Sequence, residues 1–193
     1  MSDEVYQIIM KRRTIRKFKQ EKIPYHLLEK FVNAGRVAPS AANLQPLRYI
    51  IINKEELLPK LFSLIKFAGY IDWNPSREEM PRAYIVIISE GEDENTRYDV
   101  GLAAENIILT ALEEGVGSCC IRAFEEDKVR KLLNIPHNYT VQMIIAMGYP
   151  AEDPVYEELK DKNDSIKYWK DSNGVLHVPK RRLEDIIYKD KYK

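Results

Sequence analysis

The sequence predicts a layered domain of the α+β or α/β type, with four or five strands surrounded by helices. Three features lead there. Residues 83–89 (AYIVIIS) are a short apolar run that suits a strand covered on both faces. Residues 97–114 carry Val100, Ala103, Ala104, Ile107, Ile108, Ala111 and Leu112 at helical spacing, and a helix that apolar belongs in a core or at a subunit interface. After Pro150 the composition turns charged and aromatic, which makes a C-terminal arm too thin to enclose its own core and suited to wrapping a partner.

The other elements follow in chain order. Residues 3–13 place Val5, Ile8 and Ile9 on one helical face, with Ser2 or Asp3 as N-cap. Pro24 suits the first position of a helix over 25–37, whose inner face is Leu27, Leu28, Phe31 and Val32. Residues 38–46 break both periods and read as a loop. A short strand is expected over 49–52, and a helix over 55–68 with Pro59 near its first turn. Residues 69–81 look irregular. Beyond Gly115 and Gly117 come a strand over 118–121, an amphipathic helix over 125–133 and a strand over 141–147. Ser172-Asn173-Gly174 signals a hairpin between 167–169 and 175–178, and a short helix is expected over 182–189.

Bulk properties narrow the function. The 193 residues suit one domain, with the arm from about residue 150 to 193. Thirty basic and thirty acidic residues cancel, which argues against nucleic acid as a partner. The opening Met-Ser-Asp-Glu lacks the marks of a secretory signal, and no apolar run approaches the ~20 residues of a membrane span. The expectation is a cytoplasmic protein with no membrane partner. Cys119 and Cys120 are adjacent and His26, His137 and His177 are scattered, so no metal site is expected and the cysteines read as apolar fillers.

Three clusters carry chemistry. Arg12, Arg13, Thr14 and Arg16 offer forked donors and a hydroxyl, which suits a phosphate monoester, although a solvated basic face would give the same run. Lys180, Arg181 and Arg182 form a second basic knot near the far end of the chain. No glycine-rich phosphate loop is present, so side chains would have to hold any anion. In the loop Pro39-Ser40-Ala41-Ala42-Asn43-Leu44-Gln45-Pro46, small residues leave room for a flat ligand and Asn43 and Gln45 carry both donor and acceptor; a capped turn is the plainer reading.

Together these motifs resemble the FMN-dependent nitroreductase family. The resemblance runs through R-R-T-I-R-K-F (12–18), A-P-S-A-A-N-L-Q-P (38–46), D-V-G-L-A-A-E-N-I (99–107), G-V-G-S-C-C-I (115–121), M-G-Y-P (147–150) and P-K-R-R-L-E-D-I (179–186). It implies an α+β fold with a central, mostly antiparallel sheet surrounded by helices. It also implies a homodimer in which the C-terminal arm wraps the partner subunit and FMN lies between subunits. By motif, Arg12, Arg13, Thr14 and Arg16 would bind the phosphate and ribityl chain with Lys180 and Arg182, while Pro39, Ser40, Ala41 and Asn43 would come from the other subunit. Asn74 and Arg77 would meet the pyrimidine edge of the flavin, Arg77 tuning its reduction electrostatically. The chain departs from relatives at Cys120, Arg122 and Ala123, although the backbone amides of Arg122 and Ala123 would still reach flavin N5.

The activity implied is ping-pong hydride transfer from NAD(P)H through flavin N5 to a small organic acceptor such as a nitroaromatic or a quinone. Reductive dehalogenation, ene reduction, flavin fragmentation and a non-catalytic flavin carrier share the same motifs.

Overall fold

A computed structural model describes residues 3–67, 69–70, 73–91 and 93–192. Its centre is a four-stranded antiparallel sheet in the order β1-β2-β4-β3, built from β1 (Leu47–Ile52), β2 (Ala83–Glu90), β3 (Gly117–Ile121) and β4 (Tyr139–Gly148). The register pairs Leu47 with Ser89, Ala83 with Met147 and Gly117 with Gly148, and a bulge interrupts β2 and β4 between Ile87 and Ile88. With helices on both faces, the α+β expectation holds.

Alternation along the sheet divides the core in two. Tyr84, Val86 and Ile88 point to the face covered by α3 (Leu58–Phe62) and α5 (Glu126–Leu133). Ala83, Ile85 and Ile87 point to the opposite face, under α2 (Tyr25–Arg36) and α4 (Glu94–Glu113). From Ala83 to Ser89 every residue of β2 is buried, as a strand covered on both faces requires. Helices α2 and α4 approach closely at Gly35, where a Cβ would lie 2.8 Å from the side chain of Ile107. Helix α4 begins three residues before the sequence pattern suggested, because Asp93 caps it by accepting the Thr96 N–H at 2.7 Å.

Several expectations need correction. The helix expected over 55–68 shrinks to the five residues of α3, because the following backbone pairs elsewhere: Lys66 N–H donates to Ala123 O and Glu125 N–H to Leu64 O, each at 2.9 Å. Ala68 lies outside the described residues, as does Ser2; Asp3 stands at the N-cap of α1 (Glu4–Lys11) without a side-chain capping bond. Pro24 occupies the N-cap of α2 rather than its first turn. The helix expected over 182–189 is only a 3-10 turn, Leu183–Asp185. Helix α1 has the expected apolar stripe, yet buries none of it: Val5 is 71% and Ile9 45% exposed.

Beyond Pro150 the chain forms a second sheet, in the order β5-β7-β6, from β5 (Val155–Glu158), β6 (Trp169–Lys170) and β7 (Leu176–Lys180). Among the described residues that makes seven strands: four in the central sheet, within the four or five expected, and three in the arm, where the hairpin pair was expected. The hairpin at 171–174 is present, with the Asp171 carboxylate accepting the Val175 N–H at 2.8 Å. This sheet buries Leu159 and Leu176 and leans on its own chain, whereas Leu183, Ile186, Ile187 and Tyr188 past it stay exposed.

Candidate active site at the sheet edge

Residues 12–18 run along the free edge of β3. Thr14 bridges Ser118 in parallel, and the Ile15 N–H donates to Ser118 O at 2.9 Å. Ile15 and Phe18 enter the core, while Arg12 and Arg13 border a depression of about 130 Å³ that they share with Gly117, Ser118, Pro150 and Glu152. Arg12 lies 3.9 Å from Glu105 of α4, and the Arg13 guanidinium sits 5.1 Å from the ring centroid of Tyr156 on β5. Burial, and after it the neighbouring Arg12 charge, lower the Arg13 pKa, a strain that a bound anion would relieve.

Arg16 turns the other way. It is 9% exposed, its Nε donates to Phe67 O at 2.9 Å, and its guanidinium lies 4.9 Å from the Tyr168 ring centroid. The same Phe67 offers its N–H to Asn74 Oδ1 at 3.5 Å, and the preceding Lys66 N–H donates to Ala123 O. Arg16, Asn74 and Ala123, far apart in sequence, are thus gathered around the peptides of residues 66–67. Among the described residues, the two Nη groups of Arg16 have no protein acceptor in hydrogen-bond range.

The loop before β1 forms a second centre. Ala41 N–H donates to the buried carboxylate of Asp99 on α4 at 3.1 Å, and Gln45 N–H to Ser40 Oγ at 3.1 Å. Ala42, Asn43 and Gln45 all have positive φ, at 48°, 56° and 50°. Such backbone costs of order 1–3 kcal/mol per residue and gathers at binding sites. Pro39 and Ser40 border a cavity of about 320 Å³ under this loop. Asp99 and Glu105, the α4 contacts of the two centres, are six residues apart, ~9 Å along the helix.

Other residues singled out in the sequence lie elsewhere. Arg182 forms a fork with Asp185 at 2.9 and 3.0 Å and pairs with Glu184, so its donors are spent within its own turn. Lys180 ends β7, opposite Glu158. Arg77 opens a 3-10 turn and lines a depression with Gln20, Pro59, Glu78 and Met80, apart from Asn74. Arg122 borders a polar depression with Asp93, Arg97, Glu126 and Gln142. Cys119 is buried in the core and Cys120 faces out, free of any disulfide.

Sequence reasoning missed three contributors. Glu152 accepts the N–H groups of Arg16 and Lys17, Asp99 anchors the loop, and Tyr168 covers Arg16. An aspartate within the apolar stripe of α4 was the one visible signal.

Comparison with known proteins agrees with this architecture. A protein of Archaeoglobus fulgidus with the provisional name NADH dehydrogenase/NAD(P)H nitroreductase is 28% identical over 171 residues, 83% of this chain and 93% of that one. An iodotyrosine deiodinase of Thermotoga neapolitana is 28% identical over 169 residues, covering 78% and 90% of the two chains. The solved structure of an FMN-dependent nitroreductase of Clostridium difficile R20291 superimposes with a TM-score of 0.68 at 25% identity, over 96% of this chain and 98% of that one. The match to the family model described as "Nitroreductase family" runs over residues 9–149, from α1 through the arginine segment and the whole central sheet, and by that match the chain belongs to the Nitroreductase family.

Proposed function

We propose that the protein is an NAD(P)H-dependent FMN oxidoreductase that passes a hydride to a small organic acceptor. The observation that carries this reading is the cluster of Arg16, Asn74 and Ala123 around residues 66–67, on the same edge segment as Arg12 and Arg13, in a chain of this family. A buried guanidinium with unspent Nη donors, a neighbouring arginine destabilised by burial, and the Thr14 hydroxyl fit a phosphate monoester on a flat ring system. When bound, FMN supplies the hydride relay at its N5.

The chain's own groups bind and orient. Arg12, Arg13, Thr14 and Arg16 hold the phosphate and ribityl chain, with Lys180 and Arg182 joining once Arg182 exchanges Asp185 for the anion. Asn74 would address the pyrimidine edge, with Arg77 joining it once it leaves the depression it shares with Gln20 and Met80, and the amides of Arg122 and Ala123 would reach N5. Arg77 tunes reduction by its charge.

Pro39, Ser40, Ala41 and Asn43 complete the site from a second copy. Two observations support a homodimer. The apolar face of α1, with Val5, Tyr6, Ile9 and Met10, is exposed beside Tyr98 and Leu102 of α4. Past the second sheet, Leu183, Ile186, Ile187 and Tyr188 are also uncovered, which suits a C-terminal stretch embracing the partner. No helix among the described residues is long and apolar enough to cross a membrane.

A purified sample tests this directly: a yellow flavin spectrum that NADH or NADPH bleaches without oxygen is expected, and a colourless protein with no affinity for added FMN would refute it. Reductive dehalogenation is the second reading, favoured by the deiodinase relative of Thermotoga neapolitana.

A further inference from the structure

An aromatic cleft of about 730 Å³ opens beside Arg16, lined by Tyr70, Trp73, Lys167, Tyr168, Trp169 and Lys170. That volume suits a small-molecule site. Its floor is fixed: the Tyr168 hydroxyl accepts the N–H groups of Gly69 and Tyr70 at 2.7 and 3.1 Å, and the Tyr70 and Tyr168 rings pack at 5.1 Å.

The cations here rest on rings. Lys170 Nζ lies 3.9 Å from the Trp73 ring centroid and Lys167 Nζ 5.7 Å from that of Tyr70, and among the described residues neither has a carboxylate within ion-pair range. Lys17 also lies over Trp73, at 5.5 Å, but Glu79 neutralises it at 2.7 Å. Ammonium groups resting on rings at the surface of a cleft are weakly held and can exchange that contact for a charge-assisted hydrogen bond.

We infer that this cleft is an acceptor subsite selective for planar aromatic anions, such as aryl carboxylates, with the rings of Tyr70, Trp73 and Tyr168 taking the aromatic face and Lys167 and Lys170 the anionic group. The inference rests on the proposed flavin site, because Tyr168 is shared between Arg16 and the cleft, so a ring seated here lies beside that site. Burial, and after it repulsion from Lys17, lower the Lys170 pKa, and an anion in the cleft would offset both.

The two tryptophans of the chain, Trp73 and Trp169, both line the cleft, so intrinsic fluorescence reports its occupancy whether or not the flavin turns over. Benzoate and benzamide have the same shape and differ in charge. Titration of the purified protein should give saturable binding of benzoate roughly tenfold tighter than benzamide, the size of one charge-assisted hydrogen bond. Lys170→Gln and Lys167→Gln should each erase most of that preference and leave benzamide binding unchanged, and Lys170→Arg should retain it. In turnover, 4-nitrobenzoate should exceed 4-nitrobenzamide in kcat/KM by a similar factor. Equal affinity for the two probes, or a preference untouched by both glutamine variants, overturns the subsite even if NAD(P)H oxidation is robust. Selective benzoate binding by a protein that neither holds flavin nor oxidises NAD(P)H would overturn the flavin reading and leave the aryl-anion site standing.

Discussion

The imidazole of His177 stacks on the indole of Trp169, with ring centroids 4.2 Å apart and planes 14° from parallel. Glu157 on β5 holds its Nδ1, and Asp171 in the hairpin approaches Nε2 at 3.5 Å. One ring therefore ties all three strands of the second sheet together, and that sheet carries Tyr156 and Lys170 toward the candidate site.

This arrangement makes the small sheet sensitive to pH. The hydrogen bond that the ring donates to Glu157 raises the His177 pKa above 6.5, burial opposes it, and Asp171 adds to the rise. A raised folded-state pKa gives stabilisation that is complete below about pH 6.5 and lost as pH climbs through the higher folded value. Hydrogen exchange should show faster opening of β5, β6 and β7 at about pH 9 than at about pH 6 after correction for intrinsic rates, with the central sheet unaffected. His177→Gln should abolish the difference. Equal protection at both values contradicts the assignment.

Gly148 allows the arginine segment to lie against the sheet. A Cβ there would stand 2.7 Å from Phe18 Cδ1 and 2.8 Å from Phe18 Cβ, and Phe18 is almost fully buried. Gly148→Ala should cost about 1–3 kcal/mol as overpacking and lower the denaturation midpoint. Adding Phe18→Leu should recover part of the loss; an unchanged midpoint in the single variant would show that the contact relaxes freely.

Arg16→Met keeps much of the buried side-chain volume and removes the guanidinium. Loss of a charge-assisted hydrogen bond is worth about 1.5–3 kcal/mol, so FMN affinity should fall by about tenfold or more. Quenching of flavin fluorescence measures the affinity, and far-UV circular dichroism checks the fold. Retained affinity in the folded variant would remove Arg16 from the phosphate site.

The exposed face of α1 predicts assembly. Val5→Glu combined with Ile9→Glu places two carboxylates on that face, and light scattering after gel filtration should show a dimer in the unmodified protein and a monomer in the variant. A dimer that survives both substitutions would place the interface elsewhere.

The central sheet and its covering helices were legible in the sequence because periodicity reports burial, as β2 and α4 show. The same signal found the helix α1 but not what covers it, since its stripe is open in the single chain: an apolar face does not reveal whether its partner is the same molecule or another. Backbone hydrogen bonding decided where α3 ends, and periodicity does not report it. The positive φ angles at Ala42 and Gln45 were invisible because neither residue favours that region. Strand β5 pairs in parallel with β7 across some twenty residues of intervening chain, a pairing that no local turn announces. Of the site, the arginine segment and the 39–43 loop were readable as motifs. Their anchors, Glu152, Asp99 and the Phe67 peptide, act through backbone bonds that leave little trace in sequence.

In the proposed homodimer, one cofactor site takes its arginines from one copy and its loop from another. The most direct test joins two crippled chains, one carrying Arg16→Met and the other Ser40→Trp, co-expressed with different tags and purified as the mixed dimer. A shared site predicts about one flavin per mixed dimer, because one of its two sites has both halves intact, while each variant alone binds little. A mixed dimer as empty as its parents would mean that each site is built within a single chain.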